Sequence, residues 1–377
     1  MLFTNNDKNR LPNIVELRYM LLEEIQKFPV LHRKPFEQEQ LDRDKFVVTP
    51  LASRRFSLKP NITQQGVLFH GSHQLYDRFT PRLYQCDNTD YLRENVLQET
   101  LRITMESHPL YYLLKKGIIL SNDVFFSVYN PYGMAACYGF NTPFIQLTSD
   151  LDTAIMYAIT AESHDGRRCY LNSRDSDIGV LYIFELYNTF GMIKGLSTLG
   201  LQAFERPGRM KEFLYQMDSK SNFNEFKFVK GFTFRHDIEA ERNLLATIRR
   251  PRITDGLSVK VSSWLNPGAD GKITLPIEAL RRNTIFNRLN KLEEKTNREY
   301  LETENIHFID QGDAFRFTEN ELSSIDLRAK WYRLSSQLTP MIYPDRRIID
   351  GLMRVPDDPR YRQYFDYNLW LERKINN

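Results

Sequence analysis

The sequence predicts an α+β fold, because two kinds of hydrophobic pattern occur in separate parts of the chain. Residues 179–187 read Gly-Val-Leu-Tyr-Ile-Phe-Glu-Leu-Tyr, and this concentration of branched and aromatic side chains favours a buried strand. Residues 13–27 instead place apolar side chains at intervals of three and four, which predicts an amphipathic helix. Of the 377 residues, 41% are hydrophobic, which is enough for a packed core.

Short strands and helices are predicted in the first part of the chain. The apolar run 66–70 is closed by Gly71-Ser72, which indicates a buried strand that ends in a turn. Residues 35–61 are mixed and charged, and we expect irregular structure there. Helical spacing then recurs three times. The predicted helices are 91–107, 110–116 and 132–138.

The same alternation of elements continues beyond residue 142. Residues 143–147 form a second short apolar run, and Asp150 is a suitable N-cap for a helix over residues 151–161. Residues 226–234 alternate aromatic and polar side chains, which predicts another strand. Between residues 277 and 304 the composition changes to that of a charged helix.

Three regions follow from these patterns. We predict a helical N-terminal extension over residues 1–62, a core over residues 63–262 and a mixed, helix-rich C-terminal region over residues 263–377. The last boundary is placed near Asn266-Pro267-Gly268, where proline and glycine interrupt the pattern.

Composition and missing motifs exclude several classes of protein. Cys86, Cys137 and Cys169 are far apart, so neither a disulfide scaffold nor a cysteine-built zinc site is expected, and we predict no metal. The first ten residues lack the apolar stretch of a signal peptide, and no apolar run approaches the roughly 20 residues of a membrane span. We therefore expect a cytoplasmic protein. The motifs of P-loop NTPases, Rossmann dehydrogenases, α/β-hydrolases and zincins are absent from the sequence.

Three short segments carry the candidate chemistry. The first is the strand 68–72, Leu-Phe-His-Gly-Ser, in which glycine lacks a Cβ and would let the backbone beside the histidine approach a flat ligand. The second runs from residue 138 to a helix that contains Tyr157. The third is Glu239-Ala240-Glu241, ahead of an apolar run. Each segment alone is more often structural, and only their order in one chain indicates a function.

Residues 138–158 resemble the hallmark of the FRG domain family, which is Tyr-Gly-x-x-Thr, an apolar run, Thr or Ser, and Ala-x-x-aromatic-Ala. Phe69-His70-Gly71 stands where that family has Phe-Arg-Gly, and Pro81-Arg82-Leu83 fits its following Pro-x-Leu. The resemblance covers about residues 66–235. One departure is Gln146-Leu147 in place of the family's Asp-Trp, and the family's closing element is resembled more faintly by residues 343–352.

The strand 68–72 also resembles the one that opens the catalytic core of ADP-ribosyltransferases of the diphtheria-toxin and poly(ADP-ribose) polymerase type. That resemblance implies an ADP-ribosyltransferase-like split β-sheet with flanking helices, and NAD as co-substrate. It implies that His70 bonds the nicotinamide ribose, that Tyr157 stacks on nicotinamide, and that a late glutamate is the catalytic carboxylate. Glu239-Ala240-Glu241 resembles the Glu-x-Glu element at the final strand of the arginine-type transferases, which implies that Glu241 is that carboxylate. The residues expected to contact NAD are Phe69, His70, Gly71, Ser72, Arg82, Thr148 and Tyr157.

The chemistry of NAD explains why such residues are needed. Cleavage of the bond between nicotinamide and ribose builds positive charge on the ribose, as in glycoside cleavage. A carboxylate stabilises that charge most strongly where water is excluded. Arg78 and Arg82, shortly after the first predicted strand, are candidate partners for the pyrophosphate, although arginines are more often simply surface residues.

The acceptor of the ADP-ribose is expected to be a macromolecule, either a protein or a nucleic acid. Arginine pairs at residues 167–168, 249–250, 281–282 and 346–347 and abundant aromatics would suit a nucleic acid, but the net charge is only +3. Stand-alone proteins of this type are commonly toxins or defence effectors, so the resemblance also implies an inhibitory partner protein.

Several alternatives remain open at this point. Glu239 or Glu185 could replace Glu241 as the carboxylate, and Thr148 or Ser149 could serve only to cap the helix that follows. The chain could also be a non-catalytic FRG-type module that binds a protein or a nucleic acid. A third possibility is an NAD glycohydrolase, which releases free ADP-ribose without an acceptor.

Overall fold

A computed structural model describes residues 2–3, 11–27, 46–60, 66–85, 88–120, 123–127, 130–162, 168–170, 177–186, 195–199, 203–204, 206–207, 210, 212–248, 254–282, 291–323, 327 and 353–354. It contains both helices and strands, so the α+β class is confirmed. None of the helices in these ranges has the length and apolar character needed to cross a membrane. The faint closing element at residues 343–352 lies outside the described residues.

The strands of the described residues fall into one large sheet and several smaller ones. They are β1 (Leu2–Phe3), β2 (Phe46–Ala52), β3 (Arg55–Pro60), β4 (Val67–Ser72), β5 (Ile118–Leu120), β6 (Asp123–Ser127), β7 (Phe144–Thr148), β8 (Thr160–Glu162), β9 (Arg168–Tyr170), β10 (Ile178–Glu185), β11 (Leu196–Thr198), β12 (Glu212–Gln216), β13 (Val229–Arg235), β14 (Ile273–Pro276), β15 (Ile306–Ile309) and β16 (Met353–Arg354).

The helices of the described residues surround these sheets. They are α1 (Ile14–Lys27), α2 (Asn88–Glu106), α3 (Pro109–Lys116), α4 (Pro131–Cys137), α5 (Leu151–Ile159), α6 (Ile238–Thr247), α7 (Gly256–Leu265), α8 (Ile277–Arg282), α9 (Lys291–Thr303) and α10 (Glu319–Ser323). The predicted helices over 13–27, 91–107, 110–116, 132–138 and 151–161 are confirmed to within a few residues, and Asp150 accepts a hydrogen bond from the Thr153 amide as the N-cap of α5.

The large sheet has seven strands in the order β1-β13-β10-β4-β7-β12-β11. Only β1 and β13 are parallel, and the other neighbours are antiparallel. Strands β10 and β4 pair over six residues, from Val180–Ser72 to Glu185–Val67. Strands β4 and β7, by contrast, pair only through Phe69 and Thr148. The sheet is therefore held together at its centre by one residue pair, beyond which β4 and β7 separate.

Successive residues of β4 point to opposite faces of this sheet, and each face has its own apolar cluster. On one face, Leu68 joins Tyr182, Phe184 and Phe223. On the other face, Phe69 packs with α5 and α1 in a cluster that includes Ala154, Ile155, Leu17 and Leu21. The helices α1, α5 and α6 cover that second face.

Packing crosses the boundaries of the three regions that the sequence suggests. Strand β1 and helix α1, from the region 1–62, pair with β13 and pack on α5 and α6. Helices α7 and α8 pack on α2, and Leu257, Leu280 and Leu301 share one apolar cluster with Val96. A second sheet, in the order β16-β5-β6-β3-β2, and the parallel pair β14–β15 complete the described residues together with the hairpin β8–β9.

Two local predictions are wrong. Residues 46–60, within the segment expected to be irregular, form the hairpin β2–β3, whose turn places Ser53 and Arg54 in the left-handed region (φ 35° and 62°). The segment around Glu239 and Glu241 leads into no strand but lies in helix α6, because the Asp237 side chain caps it by accepting from the Ala240 amide. The apolar residues after Glu241 are therefore the buried stripe of a helix.

Candidate active site

A cavity of about 320 Å³ lies beside the point where β4 and β7 separate. Its volume is within the range of small-molecule sites, at the lower end. Its walls come from the end of β4, from β7, from α5, from the end of α4 and from the segment that follows β4. Aromatic side chains are prominent among them, namely Tyr76, Phe79, Tyr138, Phe140, Phe144 and Tyr157. Flat apolar walls of this kind suit a planar ligand.

His70 lies on β4 at the edge of this cavity, and its imidazole is uncharged at neutral pH. The ring is 5.2 Å from the Phe79 ring and 6.0 Å from the Tyr182 ring, between centroids. Burial among these groups lowers the pKa of His70 to about 4, and the nearby Arg82 acts in the same direction against the opposing effect of a backbone hydrogen bond.

One hydrogen bond fixes the tautomer of His70. Its Nδ1 lies 2.7 Å from the carbonyl oxygen of Gln146, on β7. A carbonyl oxygen can only accept, so Nδ1 carries the proton and Nε2 is left as an acceptor. This bond also joins the two strands at the place where the sheet ladder between them ends.

Gln146 extends this connection to a carboxylate. Its side-chain Nε2 donates to the carbonyl of Ala136 at 2.8 Å and lies 3.4 Å from Oε1 of Glu212. The hydroxyl of Tyr157, from α5, donates to the same oxygen of Glu212. Glu212 is the first residue of β12 and is 7% exposed. His70, Gln146, Tyr157 and Glu212 are thus linked by hydrogen bonds through Gln146, and we call them the cavity cluster.

The two residues beside His70 do not behave as the sequence suggests. The Phe69 side chain lies on the opposite face, in the apolar cluster beneath α5, and does not line the cavity. Gly71 contributes to the cavity wall, but a Cβ there would lie 1.8 Å from the carbonyl oxygen of Ala154. Glycine is therefore required for the close packing of α5 on β4, a different reason from the approach of a ligand.

The remaining residues expected to contact NAD divide into two groups. Ser72 and Arg82 line the cavity, where the Ser72 hydroxyl donates to the carbonyl of Gln74 at 2.7 Å and Arg82 is exposed. Thr148 does not line it, because its buried hydroxyl donates to the carbonyl of Met210 at 2.8 Å and accepts from the amide of Asp150. Thr148 thus stabilises the turn into α5.

Glu241 lies in a buried ion pair away from the cavity wall. Its Oε1 is 2.6 Å from Nδ1 of His236, and the side chains are 3% and 0% exposed. Nε2 of His236 donates to the carbonyl of His73 at 2.8 Å. Burial lowers the pKa of His236, but the hydrogen bonds to Glu241 and His73 and the charges of Glu241 and Asp177 outweigh it, so the pKa is raised. Glu241 is therefore connected to the cavity wall through His236 and the carbonyl of His73, which lines the cavity.

The two alternative carboxylates, Glu239 and Glu185, also lie off the cavity wall. Glu239 is exposed on α6. Glu185, at the end of β10, is buried in an ion pair with Lys230. Neither residue lines the cavity.

Sequence reasoning missed Glu212, which is the carboxylate of the cavity cluster. Its pairing partner across the sheet is Thr148, so the strand that carries it lies next to the strand singled out in the sequence. The available signal was an acidic residue at the head of the short run Phe-Leu-Tyr at residues 213–215. That run is too short to distinguish a strand of this sheet from other apolar segments.

The described residues hold no metal-binding group, and one of the arginine pairs noted in the sequence is engaged in ion pairs. No group of three or more His, Cys, Asp or Glu side chains is arranged to hold a metal ion in that part of the chain. The arginine pair 281–282 is engaged in ion pairs with Glu294, Glu106 and Glu278. Arg167 and the pairs at 249–250 and 346–347 lie outside the described residues.

Comparison with protein-family models, with curated proteins and with solved structures finds no match to this chain.

Proposed function

We propose that this protein is an NAD-dependent ADP-ribosyltransferase that modifies a macromolecular acceptor, with His70 and Tyr157 in the roles predicted from the sequence and Glu212 as the catalytic carboxylate. The observation that carries the proposal is the cavity cluster. It brings a neutral histidine and an aromatic ring to one cavity and links both by hydrogen bonds to the carboxylate of Glu212, which lies behind the wall formed by Gln146 and Tyr157.

The cavity fits the nicotinamide riboside half of NAD. About 320 Å³ is too small for the whole dinucleotide, and the aromatic walls suit a flat pyridinium ring. NAD supplies a leaving group, nicotinamide, and a ribose that becomes electrophilic as the bond between them breaks. In this proposal Arg82, which is exposed and lines the cavity, binds the pyrophosphate of the half that extends outward.

His70 holds the ribose in this proposal. With its proton on Nδ1, the imidazole accepts a hydrogen bond from a ribose hydroxyl at Nε2. Because the pKa of His70 is about 4, the ring stays neutral at physiological pH and adds no positive charge beside a ribose that becomes positive. A neutral acceptor at this position orients the ribose without opposing the reaction.

Glu212 stabilises the positive charge of the breaking bond. Its carboxylate is almost fully buried, and electrostatic stabilisation is strongest where water is excluded. Tyr157 and Gln146 hold the carboxylate by hydrogen bonds, so little reorganisation is needed during the reaction. The separation of β4 and β7 next to these residues supports the split-sheet core that the resemblance implies.

Transfer of label from NAD tests the proposal. The purified protein is incubated with NAD labelled in the adenylate part and with cell lysate. We expect His70→Ala and Glu212→Gln each to lower the transfer about 100-fold, because each removes an interaction made at the reacting ribose. Glu304→Gln, an exposed carboxylate after α9, is the matched control and should retain full activity.

Each outcome separates the alternatives. Equal activity of wild type, His70→Ala and Glu212→Gln would contradict the proposal. Free ADP-ribose without a labelled acceptor would identify an NAD glycohydrolase. Absence of any NAD-induced thermal shift, together with a partner that co-purifies in equal amount, would identify a binding module.

A further inference from the structure

A second cavity, of about 610 Å³, lies between α2, the start of α4, β7 and β11. It is distinct from the first cavity, but Phe144 of β7 lines both. Phe144 is two residues from Gln146, the residue that connects the cavity cluster. A ligand in the second cavity would therefore lie against the same strand and the same ring as a ligand in the first.

Three side chains that line this cavity have a buried polar atom without a hydrogen-bond partner. They are Asn95 and Glu99 on α2, through Nδ2 and Oε2, and Ser197 on β11, through its hydroxyl. Glu99 is only 2% exposed. Buried polar atoms without a partner are rare in folded proteins and call for an explanation. Three of them from two separate elements, at one cavity, indicate that a ligand completes their hydrogen bonds.

The occupied oxygen of Glu99 shows which atom is available to a ligand. Its Oε1 accepts from Arg102 at 3.1 Å and from the Tyr132 hydroxyl at 3.3 Å, so the carboxylate is anchored on one side. Asn95 and Glu99 both line the cavity, and their terminal torsions are soft, so a small rotation would bring Nδ2 and Oε2 to a ligand there. The Ser197 hydroxyl rotates freely about its own bond.

These atoms specify the ligand's chemistry. A carboxylate oxygen accepts, an amide Nδ2 donates and a hydroxyl does either, so the ligand must present a donor beside an acceptor. Tyr91 and Tyr132, which are 39% and 36% exposed, together with Phe144 supply aromatic surface for a flat ring. No Lys or Arg is among the described residues that line the cavity, so nothing there matches a phosphate. A nucleobase matches this chemistry, because it is a planar heterocycle with a donor and an acceptor on one edge.

We propose that this second cavity binds a nucleobase and that this base belongs to the acceptor of the ADP-ribose. The second part rests on the proposed function, since it uses the position of Phe144 between the two cavities. The first part does not, because it depends only on the unpartnered atoms and the aromatic walls. The acceptor class is thereby a nucleotide or a nucleic acid, with a protein acceptor as the contrary outcome.

Binding without NAD tests the first part. The full chain is titrated calorimetrically with the four common ribonucleosides, with short single-stranded oligonucleotides, and with ribose and glucose. We expect at least one nucleoside to bind, and Glu99→Gln and Ser197→Ala each to weaken it at least tenfold. Ser197→Ala removes a buried hydroxyl that has no partner, so it should not impair folding. Glu304→Gln is again the matched control.

The two ligand sources and the two proposals are separable. Tighter binding of an oligonucleotide than of any nucleoside identifies a nucleic acid, and the reverse identifies a free nucleotide; both support base binding. Sugar binding alone, no binding, or equal binding by wild type and both variants overturns it. Nucleoside binding without any transfer from NAD would contradict the proposed function and leave base binding intact. Transfer of ADP-ribose to a protein without nucleoside binding would support the proposed function and contradict base binding.

Discussion

The two faces of β4 meet different surroundings, although they belong to one strand of six residues. On one face His70 contacts aromatic rings at the cavity and donates a hydrogen bond to the backbone carbonyl of Gln146. On the other face Phe69 and Gly71 are covered by α5, with no space between the glycine and the helix. One face thus leaves room for a ligand, while the other is filled by packing.

The same contrast separates the two buried histidines. His70 is buried against aromatic rings, so its pKa falls and the ring is neutral, although its hydrogen bond to the Gln146 carbonyl opposes that shift. His236, on the helix-covered side next to Phe234, faces the Glu241 carboxylate and the His73 carbonyl, which are both acceptors. It therefore carries protons on both nitrogens and a positive charge. Residue type alone did not decide the charge of either histidine; the partner atoms did.

We expect the largest effect on stability from a substitution on the face of β4 that is covered by α5. In Gly71→Ala the new Cβ would meet the Ala154 carbonyl oxygen at 1.8 Å and the Ala158 amide at 2.8 Å, and backbone atoms of a helix cannot move aside without cost. We expect a loss of about 3 kcal/mol in the free energy of unfolding, measured by urea denaturation.

Gly256→Ala is the matched control for this substitution. Gly256 is the first residue of α7, and the nearest atom to its Cβ position is 4.0 Å away. Alanine there should be neutral or stabilise by up to about 1 kcal/mol. Unchanged stability of Gly71→Ala would show that α5 does not pack on β4 as described.

We expect the next largest effect from breaking the buried pair of His236 and Glu241. Glu241→Gln leaves His236 without its carboxylate, and the histidine can respond by losing its proton, so we expect a cost of about 2 kcal/mol in urea denaturation. Glu239→Gln, an exposed change on the same helix, should cost nothing measurable. If transfer from NAD fell with Glu241→Gln as far as with Glu212→Gln while stability was unchanged, Glu241 and not Glu212 would be the catalytic carboxylate.

The pH dependence of stability predicts the smallest effect and sharpens the contrast between the histidines. Between pH 6.5 and 4 the unfolded chain binds a proton at His70 that the folded chain does not, so stability falls as the pH is lowered. The contribution of His70 amounts to about 1 kcal/mol between pH 7 and about 5.5. His236 has a raised pKa, so its contribution is complete below pH 6.5 and is lost as the pH rises through its folded-state pKa.

Denaturation of two variants over pH 5 to about 8 separates these contributions. His70→Gln should remove part of the decline on the acid side, and His236→Gln should remove part of the decline on the alkaline side. Curves parallel to that of the wild type would mean that both histidines have the same pKa in the folded and unfolded chains.

Local elements of this fold were predictable because their causes are local. The spacing of apolar residues identified α1 and α2, and the branched and aromatic run identified β10. Asp150 was recognised as a cap because its carboxylate acts on an amide three residues away. Asp237 acts in the same way, but the resemblance to a strand-borne Glu-x-Glu obscured it, and α6 was missed.

The sequence by itself determined the α+β class, the main helices and the presence of His70 and Tyr157 in segments that reach one cavity. Only the tertiary structure decided which glutamate joins them. Glu212 lies 64 residues after Thr148 in the chain, and the pairing of β12 with β7 brings these two residues side by side. The tertiary structure also decided which histidine is neutral and why Gly71 is a glycine. Such outcomes depend on contacts between distant residues, and no local pattern of side chains encodes them.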